Sequence, residues 1–520
     1  MSLPKITLSS RCGTKLGREI SRAGTALEAK QSGRSDRVFT IVSRALWRHT
    51  PMALNVRNHP EVLKLKAEIL GLSRKPGHLD QFFWLKAVKG DAGQVRFLQN
   101  SGRRARPSNG AGDEATFRIA NIVLQGGGVL GLAHAGFVAG LEAANVRFAG
   151  IAGASAGAIM AMGMTAVRGK NLLTPTHERL VEIVGAMPMS TFIDGPFRTR
   201  RLIKQFLLNR LSFRPSGWPA WLGALGQILR KRGLNPGNAF EDWLRGVLAE
   251  LEIRTVQDLF DCLKTIGKAL NEAKASQTAS PLFANWQLGE KDRLGEGLLQ
   301  IMAACMPIGV KFQFPRDVAC LSAETRSNSP ATLVRASMSI PLFFEPALFD
   351  VNKTTWKDFI KDHLEELASE EKRNEFAEID QVAFLDGGLF SNLPVDAFRE
   401  IMPDVPTIAV PLMSTTLAQP YQRRASVKSL AADIGTVAFM VRNQRDRDAI
   451  DQLRQASERF EARSRKPTPS HPFRLATIDV GAANWLNFVM DETDMMDLFL
   501  VGLRRAKGFI ENEMSGEHKT

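Results

Sequence analysis

A serine between two glycines is the feature of this sequence that most directly suggests chemistry. The pentapeptide GASAG, residues 153–157, follows the apolar run FAGIA at residues 148–152. Gly153, Gly157 and the alanines beside Ser155 fit a sharp strand-to-helix turn, because larger side chains would collide there. Such a turn presents the serine hydroxyl to an acyl carbonyl. The pattern therefore predicts that Ser155 is a nucleophile for acyl transfer.

A glycine-rich segment follows an earlier apolar run. The residues RIANIVL (118–124) predict a buried strand, and Gly126, Gly127, Gly128 and Gly131 lie just after it. Backbone N–H groups of such glycines can point into one concavity, and the start of the next helix adds a favourable dipole. These donors could stabilise the negative charge that develops on a carbonyl oxygen. The segment therefore predicts an oxyanion hole.

The same glycines match the G-x-G-x-x-G pattern of dinucleotide sites, so a nucleotide-binding function is an alternative. A nucleotide-binding unit normally carries an acidic residue at the end of the next strand, about 20 residues further on. Here that strand leads into Ser155, and the nearby acid Glu142 falls within a predicted helix. The oxyanion interpretation is therefore favoured.

A serine nucleophile needs a base, and Asp386 is the best candidate. It ends the apolar run VAFL (382–385), and Gly387 with Gly388 permits a tight turn after it. An aspartate titrates near pH ~3.9 in water, and partial desolvation raises its pKa towards the range in which it can accept a proton. The sequence DGG alone would indicate only a turn. Its position after a strand, together with the serine turn, favours a general base.

A Ser-Asp-His triad would need a histidine after Asp386. Only His471 and His518 meet that condition. His471 lies in the segment KPTPSHP, which predicts an exposed loop, and His518 is close to the C-terminus. His134 follows the glycine segment and is predicted to be a packing or polar-contact residue of a helix. An esterase that uses His471 remains the alternative to the Ser-Asp pair.

Four segments in this order resemble the patatin-like phospholipase family. They are QGGGVLGLAHAG (125–136), GASAGA (153–158), ASMSIPLFFEP (336–346) and DGGLFSNLP (386–394). Weaker similarity covers residues 233–244 and 478–510. The resemblance thus extends over about residues 118–511 and leaves residues 1–115 outside it.

The resemblance implies a Ser-Asp dyad that hydrolyses acyl esters of lipids, a phospholipase A or lysophospholipase type, with no metal or organic cofactor. It implies Ser155 as nucleophile and Asp386 as base, with the amides around Gly127 and Gly128 as the oxyanion hole. It also implies turn-shaping roles for Asn392 and Pro394, and pocket-wall roles for Pro341 and Phe344. One position departs from the family: Leu130 stands where Arg or Lys is common.

The order of predicted elements indicates an α/β fold. Strand, glycine loop, helix, strand, serine turn and helix imply parallel strands joined by crossover helices. Together with the resemblance, this order predicts a three-layer α/β/α fold with a mainly parallel central sheet and a helical cap. Three regions are predicted: a partly helical extension (1–115), a catalytic domain (116–415) and a helical C-terminal region packing on that domain (416–520). Within the catalytic domain, the cap is predicted at about 171–308 and a charged insertion at about 351–380.

Some local elements are predicted from shorter patterns. Helices are expected at residues 36–49, 60–72 and 78–88, and a linker is expected at 101–112. Strand character is also expected at residues 318–321. These assignments depend on short apolar runs, which helices and strands share.

The positive charge is concentrated in the N-terminal fifth of the chain. Residues 1–107 hold 21 Lys and Arg against 7 Asp and Glu, a surplus of 14 that equals the whole formal charge of +14. Such a segment favours anionic partners. Few aromatic residues for base stacking precede Phe82, which disfavours nucleic acid. An anionic membrane surface, contacted by the amphipathic segment 36–49, is the predicted partner.

The four cysteines are scattered, with no C-x-x-C pair, and predict neither a disulfide framework nor a zinc site. Residues 1–34 contain no continuous apolar segment of the kind that a secretory signal needs. The uncharged stretch 148–167 is too rich in glycine and alanine to favour a membrane span. We therefore expect a cytoplasmic protein that associates peripherally with a membrane.

Overall fold

The computed structural model describes residues 56–74, 85–89, 95–97, 116–196, 230–276, 286–289, 293–403, 405–413, 448, 450–451, 473–481, 483 and 490–513. All of these residues belong to one unit, Leu54–Thr520. The predicted helix at 36–49 and the predicted linker at 101–112 lie outside the described residues, as do His471 and His518.

The strands of the described residues alternate with helices along much of the chain. They are β1 (Lys86–Lys89), β2 (Val95–Phe97), β3 (Phe117–Leu124), β4 (Val146–Ala154), β5 (Gly233–Asn235), β6 (Leu299–Met306), β7 (Val310–Phe314), β8 (Leu342–Phe344), β9 (Ala347–Asp350), β10 (Gln381–Asp386), β11 (Thr407–Val410), β12 (Leu412–Met413), β13 (Phe473–Leu475) and β14 (Ile478–Asp479).

The helices of the described residues include long amphipathic ones and short connecting ones. They are α1 (Pro60–Ser73), α2 (Gly131–Ala143), α3 (Ala156–Arg168), α4 (His177–Gly185), α5 (Asn238–Glu250), α6 (Val256–Ser276), α7 (Glu324–Ser327), α8 (Ala331–Ser337), α9 (Lys353–Leu364), α10 (Glu370–Ala377) and α11 (Glu492–Gly508).

A ten-stranded sheet lies at the centre of the unit. Its middle strands, in the order β13-β11-β3-β4-β6, are all parallel to their neighbours. Strands β1, β2, β7, β9 and β10 add antiparallel pairs around this parallel core. The predicted α/β fold with a mainly parallel central sheet is therefore confirmed.

Burial explains why the two central strands were recognisable from sequence. Strand β4 is buried along its whole length, and the last six residues of β3 are buried as well. Strands covered by helices on both faces read as continuous apolar runs, because neither face meets water. The runs at 118–124 and 148–152 have that form.

Helix α11 packs closely against α2, the helix that follows the glycine segment. A Cβ atom added at Gly136 would lie 1.9 Å from the Phe499 carbonyl oxygen, and one at Gly502 would lie 1.8 Å from the Ala133 carbonyl oxygen. The two backbones therefore touch at these glycines. This contact fixes α2, the helix that follows the candidate oxyanion donors.

Three local predictions are wrong at named residues. Residues 86–89, within or beside the helix expected at 78–88, form β1 and pair with β3. The run expected as a strand at 318–321 lies mostly in a 3₁₀ helix, Arg316–Cys320. In both cases a short apolar run suits either structure, and contacts with distant segments decide between them. Residues 299–306, which were included in the predicted cap (about 171–308), form β6 of the central sheet.

The C-terminal region is not only helical. Residues 473–475 form β13, which pairs in parallel with β11 and so extends the central sheet. The helix expected at 60–72 is confirmed as α1, and the charged insertion contains α9 and α10 as expected. Among the described residues, no helix is both long enough and apolar enough to cross a lipid bilayer.

Candidate active site

Ser155 occupies a strained turn between β4 and α3. Its backbone angles are φ 51° and ψ −119°, a region that residues with a side chain rarely adopt. Holding such a conformation costs of order 1–3 kcal/mol and is typical of functional sites. The backbone N–H of Ser155 donates to the Ser337 hydroxyl at 3.0 Å, which helps to fix the turn. The predicted sharp strand-to-helix turn is present.

The glycines on either side of Ser155 allow this turn. A Cβ atom added at Gly153 would lie 2.3 Å from the Gly157 carbonyl oxygen. A Cβ atom added at Gly157 would lie 2.1 Å from the Leu124 carbonyl oxygen, at the end of β3. Both distances are far below van der Waals contact. A side chain at either position would push the turn away from the neighbouring strand.

Strand register determines where Asp386 lies relative to Ser155. Strand β7 pairs with residues 301–305 of β6 in an unbroken antiparallel ladder and so occupies one edge of β6. Strand β4 pairs with residues 299–302 of β6, and β10 pairs with residues 303–306. Strands β4 and β10 therefore lie end to end along the opposite edge of β6.

The C-terminal ends of β4 and β10 face each other, because β4 runs parallel to β6 and β10 runs antiparallel to it. Ala154 lies opposite Met302, and Asp386 lies opposite Ala303, the next residue of β6. Successive strand residues are separated by about 3.3 Å along the strand. The structure thus brings Ser155, which leaves the sheet directly after Ala154, next to the position where β10 ends in Asp386.

Asp386 is held by its own turn and by the segment after α8. Its Oδ1 atom accepts a hydrogen bond from the Gly388 N–H at 2.7 Å, and its own N–H donates to the Ser339 carbonyl oxygen at 2.9 Å. A Cβ atom added at Gly387 would lie 1.9 Å from the Met302 carbonyl oxygen. The two glycines after Asp386 therefore allow close contact with β6 and fix the carboxylate.

The glycine segment offers two amides rather than three. The N–H of Gly126 donates to the Asn392 carbonyl oxygen at 3.1 Å, so the expectation that it serves an oxyanion is not met. Within the described part of the chain, the N–H groups of Gly127 and Gly128 donate to no protein acceptor. Gly128 has a positive φ of 57°, which glycine adopts without strain, and it starts a 3₁₀ turn. The candidate oxyanion donors are therefore Gly127 and Gly128.

Two side chains from distant segments hold the glycine segment in place. The Asn392 side chain, expected to shape the turn after Asp386, donates instead to the Gly126 carbonyl oxygen at 3.3 Å. The Gln125 side chain accepts a hydrogen bond from the Leu412 N–H at 2.6 Å. Sequence reasoning did not identify Gln125 as a support, because its partner lies 287 positions away.

An apolar pocket opens beside Ser155. Apart from the Ser155 hydroxyl, its lining side chains are aliphatic, aromatic or methionine. They belong to the glycine segment and α2 (Gly128, Val129, Gly131, Leu132), the serine turn and α3 (Ser155, Ala156, Ile159, Met160), α4 and the residues after it (Val184, Met187, Met189, Phe192), α5 (Phe240) and the segment after α8 (Met338, Ile340).

The segment 336–346 contributes different pocket residues from those expected. Met338 and Ile340 line the pocket, whereas Pro341 and Phe344 do not. Phe344 is fully buried and packs instead against the guanidinium of Arg335, whose Cζ atom lies 5.2 Å from the centroid of the Phe344 ring.

His134 is a packing residue. It is fully buried in α2, and its Nε2–H donates to the Val410 carbonyl oxygen at 3.1 Å. Burial lowers its pKa to about 4, so the ring is neutral at physiological pH. Among the described residues, no cluster of three or more His, Cys, Asp or Glu side chains could hold a metal ion.

The neutral state of His134 predicts a pH-dependent stability. In the unfolded chain a histidine binds a proton below pH ~6.5, whereas the folded protein resists protonation until about pH 4. Between these two pH values the unfolded state binds more protons than the folded state. The free energy of unfolding should therefore fall by about 3 kcal/mol as the pH is lowered from the upper value to the lower one. Chemical denaturation of the wild type and of His134→Gln across this range measures the difference. Equal pH dependence in both proteins would contradict the prediction.

The family model described as patatin-like phospholipase matches residues 122–399. The uncharacterised protein YqhO of Bacillus subtilis (strain 168) is 25% identical to this chain over 278 residues. The match covers 54% of this chain and 66% of YqhO, which is just under two thirds of its length.

A solved structure, VipD from Legionella pneumophila, is similar at 14% identity with a TM-score of 0.32, covering 82% of this chain and 70% of VipD. The family match spans more than half of the 520 residues and contains both Ser155 and Asp386. This protein therefore belongs to the patatin-like phospholipase family, a family of lipid acyl hydrolases.

Proposed function

We propose that this protein is a serine-dependent carboxylic ester hydrolase that cleaves fatty-acyl esters of phospholipids or lysophospholipids. The observation that carries the proposal is the meeting of β4 and β10 on adjacent residues of β6, which brings Ser155 and Asp386 together. The apolar pocket beside Ser155 supports a fatty-acyl substrate, since it offers almost no polar side chains to any other group.

In the proposed reaction, Asp386 accepts the hydroxyl proton while Ser155 Oγ attacks the acyl carbonyl carbon. The carbonyl electron pair moves to oxygen, and the N–H groups of Gly127 and Gly128 stabilise that charge. Collapse of the tetrahedral intermediate breaks the bond to the leaving alkoxide, which takes the proton from Asp386. Water then attacks the acyl-enzyme and gives a proton to Asp386. Collapse of the second intermediate breaks the bond between the acyl carbon and Ser155 Oγ, which takes that proton back, and the fatty acid leaves.

The pocket residues suggest how the acyl chain is accommodated. Four methionines, at positions 160, 187, 189 and 338, contribute flexible side chains that adapt to irregular apolar ligands. Phe192 and Phe240, both almost fully buried, pack edge to face with ring centroids 5.3 Å apart and form a rigid wall. This combination of flexible and rigid surfaces suits a long, unbranched chain.

The products of mixed phospholipid vesicles test the proposed function. Mass spectrometry after incubation with the full-length protein in water labelled with oxygen-18 should detect lysophospholipid and a fatty acid with one labelled oxygen. The label enters because water, rather than another acceptor, resolves the acyl-enzyme. Unlabelled acyl products would indicate transfer to another acceptor, and absence of both products would contradict the proposal.

We also propose that residues 1–53, the first part of the basic region 1–107, hold the enzyme on an anionic membrane. Residues 1–53 contain 10 Lys and Arg against 3 Asp and Glu, a surplus of 7. This segment precedes the unit that begins at Leu54, whereas α1, β1 and β2 belong to that unit. Deleting only residues 1–53 therefore leaves those elements in place.

The deletion should weaken binding to vesicles that contain anionic phospholipid, because charge attraction to the membrane surface is lost. Vesicle sedimentation at low and high salt measures the effect, with neutral vesicles as the control. Hydrolysis of a soluble short-chain ester should be unchanged. Equal salt-sensitive binding with and without residues 1–53 would contradict this role.

A further inference from the structure

The segment that ends α8 contacts both proposed catalytic residues. The Ser337 hydroxyl accepts the N–H of Ser155 at 3.0 Å, and the Ser339 carbonyl oxygen accepts the N–H of Asp386 at 2.9 Å. Ser337 and Ser339 are fully buried. Two serines only two positions apart therefore fix the backbone on both sides of the Ser155–Asp386 meeting point.

Arg335 holds this segment from behind. Its Nη1 group donates to the Ser339 hydroxyl at 2.6 Å, and its Nη2 group donates to the carbonyl oxygens of Pro236 at 2.6 Å and Glu345 at 2.7 Å. The Ser339 hydroxyl donates back to the Arg335 carbonyl oxygen at 3.0 Å. One guanidinium thus joins three chain segments next to Asp386.

The surroundings of Arg335 favour a guanidinium in particular. The side chain is only 4% exposed, and a Cβ atom added at Gly237 would lie 2.1 Å from its Nε atom. Burial lowers its pKa to about 10, and Glu241 opposes that effect, so the group remains charged at neutral pH. A planar fork can reach acceptors in several fixed directions, whereas the point charge of lysine cannot.

We propose that Arg335 is a positioning residue for Asp386. It acts through Ser339: the guanidinium fixes the Ser339 side chain, and the Ser339 carbonyl oxygen fixes the backbone where β10 ends. The carboxylate is thereby kept in line with Ser155. The proposal depends on the proposed ester hydrolysis, since the test measures kcat for that reaction, in which Asp386 accepts the proton of Ser155.

The test compares Arg335→Lys with a matched control, Arg147→Lys. Arg147 is also a buried arginine, 6% exposed, and it also donates three hydrogen bonds, in this case all to backbone carbonyl oxygens, those of Leu173, Glu142 and Val146. It lies at the start of β4, at the opposite end of that strand from Ser155. Both variants keep the charge and lose the fork, so their effects on stability should be similar.

For Arg335→Lys we expect kcat on a soluble short-chain ester to fall by about 10- to 100-fold with KM nearly unchanged, because a small misplacement of a catalytic group reduces the rate strongly. Arg147→Lys should keep kcat within about twofold of the wild type, an allowance for small indirect effects. Hydrogen exchange of the peptide that contains Asp386 should be faster in Arg335→Lys than in the wild type and unchanged in Arg147→Lys.

A second variant, Ser339→Ala, removes the hydroxyl partner of Arg335 without changing a buried charge, so it remains informative if Arg335→Lys does not fold. It should lower kcat in the same direction, again without raising KM. Wild-type kcat in both Arg335→Lys and Ser339→Ala, or an equal loss in Arg147→Lys, would overturn the positioning role while leaving ester hydrolysis intact. Absence of turnover by the wild type would instead overturn the proposed function and this inference with it.

Discussion

Replacing Ser155 with alanine should reduce ester turnover by roughly 10⁶-fold, the scale seen when a serine hydrolase loses its nucleophile. Alanine removes only the hydroxyl oxygen, so the turn between β4 and α3 keeps its backbone contacts, including the N–H bond to Ser337. Initial rates on a soluble short-chain ester, together with labelling by a fluorophosphonate probe, measure the loss. The probe should label the wild type and leave the variant unlabelled.

Ser73→Ala is a suitable control for the Ser155 experiment. Ser73 is also a buried serine, and its hydroxyl donates to the Leu70 carbonyl oxygen within α1, away from the candidate site. Its removal should leave turnover and labelling unchanged. A Ser155→Ala protein that still reacts with the probe would show that another residue is the nucleophile. A wild-type protein that does not react would instead favour the non-enzymatic nucleotide-binding and nucleic-acid-binding interpretations.

Replacing Asp386 with asparagine should lower kcat by about 10²- to 10⁴-fold, the usual contribution of a general base. Asparagine has nearly the same shape and can still accept the Gly388 N–H through its carbonyl oxygen, so the turn should persist. Steady-state kinetics on a soluble short-chain ester measure the loss.

Two controls accompany Asp386→Asn. Asp396→Asn changes a half-exposed aspartate that pairs with Lys311 at 3.1 Å on the surface, and it should leave kcat unchanged. His471→Ala tests the alternative triad. An inactive His471→Ala protein would favour a Ser-Asp-His esterase, because the proposed dyad does not use His471.

Local chemistry explains which parts of the site were predictable. The turn around Ser155 can be recognised because its glycines and alanines are required by contacts within a few residues and by the adjacent strand. Strands β3 and β4 are recognisable because burial on both faces makes them continuously apolar. The four family segments extend this prediction to the candidate base, Asp386.

Other parts depend on contacts between segments far apart in the chain. Residues 86–89 form a strand because β2 and β3 provide partners, and residues 318–321 lack such partners over most of their length. The loss of Gly126 from the set of candidate donors follows from one hydrogen bond to Asn392, which lies 266 positions away. No pattern near Gly126 contains that information.

The sequence by itself determined the family, the α/β class and the residue types that could attack an ester, because hydrophobic pattern and turn chemistry are properties of neighbouring residues. Only the tertiary structure decided that β4 and β10 meet on adjacent residues of β6, and that Arg335 ties Ser339 to Pro236 and Glu345. Strand register and side-chain to backbone hydrogen bonds are set by packing among distant segments, and single-residue preferences do not encode them.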